Sequence, residues 1–406
     1  MKINYACPLA LNPGKVIAFN TGLTQPSPYL FGYQILDSLL ASIIAAAGRE
    51  SIDRFFLVSD PTVLGLYGGP IQEALLASGL SVQTLVLPTG EHSKTFLHLE
   101  ALCEDLLEKG ATKRSILVAL GGGATSNVAG LAAGLLFRGI RFVEIPTTFT
   151  HLTDGTLSNK QAVNGRSGKN HFGLYHAPIL IWGDTQYLTS EPRRLRDAGL
   201  VEGIKNGFID QPDFLIYLRS ALNPRGIYTP AELTELAYKT ILSKLEILKQ
   251  DPTEKHYCLV LEYGHTFAHA IEWLSQGRLI HGEAVGLGMQ IAARLSQRLS
   301  LISPELVDLH DTMLLRCLGL HVPLPKAATS EAILRAMAVD NKKTGDAIRY
   351  CLLDRLGGCA NPDGDYLMSV ADDIVLNVLQ LFEREISARN SSPALRLVSE
   401  RLPHAS

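Results

Sequence analysis

The run SILVALGGGATSNVAG, Ser115 to Gly130, limits the fold more than any other stretch of the chain. An apolar, strand-like segment ends in three consecutive glycines and passes at once into small residues at helical spacing. A strand that turns this sharply into a helix opens a βαβ unit, and such units build parallel sheets covered on both faces. The flanking sequence repeats the alternation. FFLVSD (Phe55 to Asp60) reads as a strand and about Pro70 to Ser78 as a helix. SVQTLVLP reads as a second strand, and LHLEALCEDLLEKG as a helix stopped at Gly110. SILVALGGG is a third strand, NVAGLAAGLLF the helix after it, and RFVEIP the strand after that.

After about Pro192 the pattern changes. AELTELAYKTILSKLEILKQ, TFAHAIEWLS, EAVGLGMQIAARLSQRLS and DIVLNVLQLFEREISAR all carry helical periodicity, and strand-like alternation is scarce apart from IRYCLLDRLG. A chain of 406 residues also exceeds what one hydrophobic core supports. The expected fold is an α/β nucleotide-binding domain over 1–192 followed by a mainly α-helical, metal-binding domain over 193–386. The tail 387–406, rich in Ser, Pro and Arg, is expected to fray.

A formal charge of −3 leaves no broad basic surface, so nucleic acid is not an expected partner. No stretch reaches the roughly 18 unbroken apolar residues that span a bilayer, so no membrane partner is expected either. The N-terminal MKINYACPLALNPGK lacks an apolar leader core and a small-residue cleavage site. The six cysteines (Cys7, Cys103, Cys258, Cys317, Cys351 and Cys359) form no CxxC pair. A cytoplasmic protein with reduced thiols is expected.

Three segments carry chemistry. In the glycine turn, backbone N–H groups and the helix N-terminus can receive a pyrophosphate. GGGATSN is not GxGxxG, and close helix–strand packing is the competing reading. Asp60 ends an earlier strand where a ribose or adenine can bind, and PTTF (Pro146 to Phe149) adds hydroxyls for a nicotinamide half. The second segment, Thr153 to Asn170, gathers Lys160, Asn164, Arg166, Lys169 and Asn170 among few apolar residues, with Arg138 just before it. Cationic and amide donors at this density suit phosphate, although an isolated loop of this kind is usually only solvated surface. The third holds His265 and His269, four apart on one helix face, but Thr266 follows His265, so the HExxH pattern of zinc proteases is absent. Glu202 and His281 can complete a three-ligand site with His265, leaving His269 for proton transfer. Such N/O ligands suit Zn²⁺ best, with Co²⁺ or Fe²⁺ as alternatives.

GEHSKT, GGGATSNVAG, FRGIRFVEIPTTF, DGTLSNKQAVNGRSGKN, AGLVEGIKNG, EYGHTFAHAIE, HGEAVGLGM and DNKKTG follow one another between about 85 and 355. In that order they resemble the sugar phosphate cyclases, the dehydroquinate synthase superfamily. The resemblance implies an NAD-binding domain, a helical domain holding Zn²⁺ or Co²⁺ on Glu202, His265 and His281, and a homodimer. It implies cofactor contacts at Asp60, Glu91, Lys94, Gly122, Gly123, Asn127, Thr147, Thr148, Asp154 and Lys169. Substrate contacts are implied at Asn164, Asn170, Lys205, Lys244, Lys342 and Arg138, the last matching an arginine that reaches the phosphate in a neighbouring subunit. Lys160, Glu262 and His269 are the implied catalytic residues, with Glu254 as the relay partner of His269.

Within the superfamily, dehydroquinate synthases read NLGHT where this chain has Glu262-Tyr263-Gly264-His265-Thr266. They also place a carboxylate-binding arginine where Cys258 stands. Glu262, KQAVN and DNK look like the 2-deoxy-scyllo-inosose synthases, whose substrate glucose 6-phosphate has no carboxylate. Asn127, in place of a common aspartate, and SNK, in place of GGK, depart from the dehydroquinate synthase pattern. The implied activity is carbocycle formation from glucose 6-phosphate through transient C4 oxidation, phosphate elimination, reduction, ring opening and aldol closure. The alternatives are a 3-dehydroquinate synthase, a sedoheptulose 7-phosphate cyclase or a metal-dependent polyol dehydrogenase.

Overall fold

The computed structural model describes residues 13–21, 23–166, 168–338 and 348–390. The chain divides into two compact units, Met1–Leu200 with Ile227–Glu254, and Val201–Gly226 with Lys255–Ser406. This differs from the single boundary expected at 193. The helix Arg193–Ile209 runs across the division, and the helix Pro230–Gln250, expected among the metal-binding helices, groups with the first unit. Its contacts explain why. Thr234 Oγ1 lies 2.7 Å from Thr185 Oγ1, the Tyr238 ring lies 5.9 Å from Phe31, and Lys244 bonds to Asp154.

The first unit is built on a seven-stranded sheet. Its strands are β1 (Val16–Asn20), β2 (Pro28–Gly32), β3 (Arg54–Ser59), β4 (Ser81–Val86), β5 (Ile116–Gly121), β6 (Arg141–Pro146) and, after a separate hairpin, β9 (Leu180–Asp184). The order is β1-β2-β9-β6-β5-β3-β4, with only the β1–β2 pair antiparallel. Every residue of β5 is buried, as expected of a parallel strand with both faces covered. One face packs under the helices Phe96–Glu108 and Gly123–Leu135, the other under Leu39–Ala47 and Gly69–Leu76.

The chain leaves β3 for β4 on one side and returns to β5 on the other. That reversal opens a crevice at the carboxyl ends of β3 and β5, where ligands of open α/β sheets bind. Asp60 follows β3, Gly122 and Gly123 follow β5, and Thr147 and Thr148 follow β6, so the expected cofactor residues lie along one sheet edge. The helix after the glycine turn starts at Gly123, ahead of the NVAG segment read as its beginning. The lysine segment, for which a solvated loop is the competing reading, includes β7 (Lys160–Val163), which pairs antiparallel with β8 (Phe172–Tyr175).

The second unit is mainly helical, with Pro212–Ala221, His265–Leu274, His281–Arg298, Pro304–Asp311, Ser330–Met337 and Asp372–Asn390. The last helix continues beyond 386 into the expected tail, whose residues 391–406 lie outside the described residues. So does all of DNKKTG, Lys342 included. IRYCLLDRLG yields two short strands, Arg349–Tyr350 and Leu353–Arg355. Among the described residues, no helix is long and apolar enough to cross a membrane.

Two glycines press the His265 and His281 helices together. Gly264 has φ +78°, and a Cβ on Gly288 would stand 2.2 Å from the Gly264 carbonyl oxygen. Only a residue without a side chain permits that approach. Gly288→Ala is expected to cost about 1–3 kcal/mol through overpacking and to lower the melting temperature. It should also weaken Co²⁺ binding by separating the two histidine-bearing helices. An unchanged melting curve and cobalt titration would contradict this packing.

Candidate active site

In the first unit, the β5–β6 register sets Gly121 opposite Pro146, and Thr147 N–H donates to Gly121 O at 3.0 Å. The threonine pair is thereby tied beside the glycine turn. A Cβ on Gly121 would stand 2.9 Å from the Thr125 side chain, and one on Gly122 3.1 Å from Thr148 Cγ2. The turn is a cradle that side chains would fill. No side chain caps the helix it begins, which leaves first-turn N–H groups for an anion. This geometry fits a pyrophosphate, and close packing, the competing reading, holds at the same glycines.

The other expected cofactor residues divide by partner. Asp60 Oδ1 accepts from Thr62 N–H and Val63 N–H, at 2.9 and 3.2 Å, and so caps the turn after β3. Asn127 uses both ends of its amide on backbone: Nδ2 donates to Gly123 O at 2.8 Å, and Oδ1 accepts from Ala162 N–H at 3.1 Å. It braces the glycine turn against β7. Thr148 Oγ1 caps the helix Phe149–Thr153 by accepting from His151 N–H.

Glu91, Lys94, Asn164, Lys169 and Asn170, expected in two separate roles, form one network. Glu91 Oε1 accepts from Asn164 Nδ2 at 2.8 Å and lies 3.2 Å from Lys169 Nζ. Lys94 Nζ donates to Asn170 Oδ1 at 2.5 Å, and Asn170 N–H donates to Asn164 Oδ1 at 2.9 Å. Partial burial alone would raise the Glu91 carboxyl, but Lys94 and Lys169 outweigh it and hold the group below its ordinary range. Asp154 Oδ1 accepts from Lys244 Nζ at 2.7 Å, and Glu254 Oε1 from Lys160 Nζ at 2.8 Å. Arg138 is exposed, at φ +66° beside Phe137 at φ +53°.

In the second unit, Glu202, His265 and His281 each offer one ligand atom, all within 4.8 Å of one another. Glu202 Oε1 stands 3.7 Å from His265 Nε2 and 3.5 Å from His281 Nε2, and accepts no hydrogen bond although buried. A buried carboxylate oxygen facing two imidazole nitrogens suits a divalent cation with N/O preference, Zn²⁺ or Co²⁺. The remaining contacts orient the set. Lys205 Nζ lies 2.5 Å from Glu202 Oε2, His265 Nδ1 lies 3.2 Å from Tyr263 O, and His281 Nδ1 lies 3.2 Å from Glu272 Oε2. With Nδ1 as donor, each ring turns an Nε2 lone pair inward.

Burial opposes charge on Glu202, but Lys205 and the two imidazoles hold it well below the ordinary carboxylate range. Burial and then Lys205 push His265 well down. His281 goes the other way, to about 10, because the nearby carboxylates of Glu202 and Glu272 outweigh its burial. The His269 ring centroid lies 5.6 Å from that of His265 and 6.1 Å from that of His281, adjacent to the ligand set but outside it. Glu262 ends a short helical turn three residues before His265. Lys205, expected to contact substrate, lies against Glu202, a candidate metal ligand.

Sequence reasoning missed Glu272. It lies seven residues after His265 and three after His269, so helical spacing puts it on the same face. It also missed the buried trio Glu144, His151 and Gln161 near the glycine turn, although Glu144 and Gln161 stand within FRGIRFVEIPTTF and DGTLSNKQAVNGRSGKN.

Family comparison agrees with both halves. The 3-dehydroquinate synthase N-terminal family matches residues 84–197, and the 3-dehydroquinate synthase C-terminal family matches residues 199–343. The chain belongs to the dehydroquinate synthase family. It is 36% identical over 353 residues to a 2-deoxy-scyllo-inosose synthase of Streptomyces kanamyceticus, covering 86% of this chain and 89% of the relative. The enzyme of that name from Niallia circulans is 36% identical over 359 residues, covering 87% and 95%. A crystal structure of 2-deoxy-scyllo-inosose synthase complexed with carbaglucose-6-phosphate, NAD+ and Co2+ matches with a TM-score of 0.82 and 32% identity. That match covers 90% of this chain and 99% of the other.

Glu272→Ala is expected to weaken Co²⁺ binding by roughly 10–100-fold, the usual cost of losing a partner that orients a ligand. NAD⁺ binding, titrated separately, should be unaffected. Equilibrium dialysis with metal analysis reads the first quantity. Wild-type cobalt affinity in the variant would remove Glu272 from the site.

Proposed function

We propose that this protein converts glucose 6-phosphate to 2-deoxy-scyllo-inosose and phosphate, with NAD⁺ and a bound Zn²⁺ or Co²⁺. The convergence of Glu202, His265 and His281 supports the metal chemistry. Cys258, buried and uncharged, carries the choice of substrate. A dehydroquinate synthase needs an arginine there for the substrate carboxylate, and a carboxylate facing a thiol would lose its charged partner.

When bound, NAD⁺ takes hydride from C4 and returns it, and the cation polarises the hydroxyls it binds. The side chains supply the rest. The C4 ketone acidifies the C5 proton, which Glu262 removes as phosphate leaves C6. Lys160 receives the departing phosphate, giving up its pairing with Glu254. His269, beside the ligands, moves a proton at its imidazole with Glu254 as relay partner. Lys205 holds Glu202 in place. After ring opening, the carbon freed of phosphate attacks the C1 aldehyde and closes the carbocycle. Asn164, Asn170, Lys244 and Lys342 are assigned to the sugar phosphate, and Asp154, Lys94 and Lys169 to the cofactor.

Incubation with glucose 6-phosphate and NAD⁺ should release phosphate and yield 2-deoxy-scyllo-inosose by mass analysis, without net NADH. Accumulating NADH would point to a polyol dehydrogenase. Turnover of a heptulosonate or heptulose phosphate alone would point to another cyclase. Glu262→Gln should keep metal and NAD⁺ binding but stop phosphate release.

The same reading includes a cytoplasmic homodimer. Free thiols at Cys103, Cys258, Cys317, Cys351 and Cys359 suit a reducing compartment. Phe96 and Phe172 stack edge-on at 4.9 Å while both stay about half exposed, and Tyr175 on the same strand is 68% exposed. An aromatic patch of this kind suits a second copy. Sedimentation at micromolar concentration should give twice the 44.1 kDa chain mass, and a monomer there would exclude the dimer.

A further inference from the structure

Behind the glycine turn lies a buried polar group that neither the fold nor the metal site uses. Glu144 on β6, His151 on the helix Phe149–Thr153 and Gln161 on β7 are at most 4% exposed. Glu144 Oε2 and His151 Nε2 face each other at 3.7 Å, and neither has a hydrogen-bond partner. Gln161 Nε2 donates to the other Glu144 oxygen at 3.3 Å. Leaving two such atoms unpaired in the interior is costly unless they serve each other.

The opposite edge of the imidazole is what matters. A Cβ on Gly155 would stand 2.5 Å from His151 Nδ1, and one on Gly123 3.6 Å from it. The ring is therefore wedged between the last glycine of the cradle and the Asp154–Gly155 turn. Thr148, just upstream, fixes its backbone by capping His151 N–H. Nδ1 thus points where the two turns assigned to NAD⁺ come together.

We propose that His151 contacts bound NAD⁺, donating Nδ1–H to an oxygen of the cofactor between Gly123 and Gly155, and that Glu144 is the positioning residue that sets its tautomer. The inference rests on the reading that the glycine turn binds NAD⁺. The proton balance is simple. With its carboxyl protonated, Glu144 donates to Nε2, and the neutral ring carries its single proton on Nδ1, facing the cofactor. When Glu144 loses its proton, the ring proton moves to Nε2 to serve the carboxylate. Nδ1 then presents a lone pair to an electron-rich oxygen and repels it.

Burial supports the protonated form, pushing Glu144 up to about 8 against the opposing pull of Gln161. Burial likewise pushes His151 down to about 4, with Asp154 raising and Lys94 lowering it, so the ring is neutral at pH 7. Tyr29, from β2, also faces Glu144, and the Asp154 that acts on His151 is itself paired to Lys244. Cofactor affinity should therefore be full below pH 7 and decline as pH rises through about 8.

The test is NAD⁺ titration of the full chain by calorimetry between pH 6.5 and 9, independent of turnover. Wild-type Kd is expected to rise about tenfold between pH 7 and 9, as loss of one proton near pH 8 requires. Glu144→Gln keeps a donor on Nε2 at every pH, so its profile should be flat. His151→Ala should bind at least about tenfold more weakly at pH 7, the scale of one hydrogen bond to a charged group. His151→Asn, whose amide reaches the Nδ1 position, should recover most of that loss. Parallel profiles in wild type and Glu144→Gln, or normal affinity in His151→Ala, would overturn the proposal and leave the lyase reading intact. If His151→Ala fails to fold, the Glu144→Gln profile decides alone. Wild-type protein that binds no NAD⁺ would instead overturn the lyase reading, and this proposal with it.

Discussion

A buried carboxylate facing two imidazole nitrogens is the constraint on which the metal half depends. Glu202 is almost inaccessible, and an ionised carboxylate in that position costs several kcal/mol unless compensated. Lys205 at 2.5 Å supplies one compensation, and the histidines facing Oε1 supply another. His265 and His281 are each the first residue of a helix, where the backbone dipole disfavours added positive charge. Glu202 together with Glu272 makes cation binding favourable there. The Gly264–Gly288 contact then brings those two helix ends close enough for both rings to face one oxygen.

In the first unit the corresponding constraint is backbone geometry. Three parallel strands end in registers that bring Ser59, Gly121 and Pro146 to one edge. Beyond these strand ends, a capping aspartate, a glycine cradle and a threonine pair fall along the crevice where the strand order reverses. Asn127 makes this edge rigid by joining the glycine turn to β7 through both ends of its amide. An anion arriving there meets N–H groups already aligned, so little ordering remains for binding to impose.

Much of this was legible in the chain because the signals were local. Strand-to-helix alternation, the glycine run and the ordered motifs depend on neighbours in sequence, and β3 to β6 appear where periodicity puts them. The β1–β2 hairpin and β7–β8 were missed because their pairing is set by partners distant in sequence or by a polar loop. Pro230–Gln250 was grouped with the wrong helices because amphipathic periodicity shows that a face is buried without showing against what. The three candidate metal ligands could be chosen by motif, and Glu272 could have been found by its spacing from His265, whereas the facing of Glu144 and His151 is recognisable only once β6 and the helix after it are packed. Asn127 and Lys205 were chosen by the family resemblance, and packing adds backbone partners to the first and Glu202 to the second that no motif announces.

Among the described residues, the lysines expected to meet substrate or cofactor each lie within 4.0 Å of a carboxylate, and their exposure separates two kinds of work. Lys160 and Lys169 are 54% and 37% exposed in their pairs with Glu254 and Glu91. Exposed pairs contribute about 0–1 kcal/mol, so a phosphate oxygen can take Lys169 from Glu91 at little cost, whereas Glu254, only 9% exposed, holds Lys160 more firmly. Lys205 and Lys244 are 3% and 8% exposed, bound to Glu202 and Asp154. Breaking a buried pair costs about 3–5 kcal/mol, more than one phosphate contact returns. The buried lysines are therefore suited to keeping Glu202 and the Asp154 turn in place while their remaining N–H groups meet substrate, and the exposed ones to exchanging partners. An enzyme that must capture a phosphorylated sugar and then release the phosphate needs both kinds: fixed groups for hydride and proton geometry, and exchangeable cations for an anion that arrives on the substrate and leaves without it.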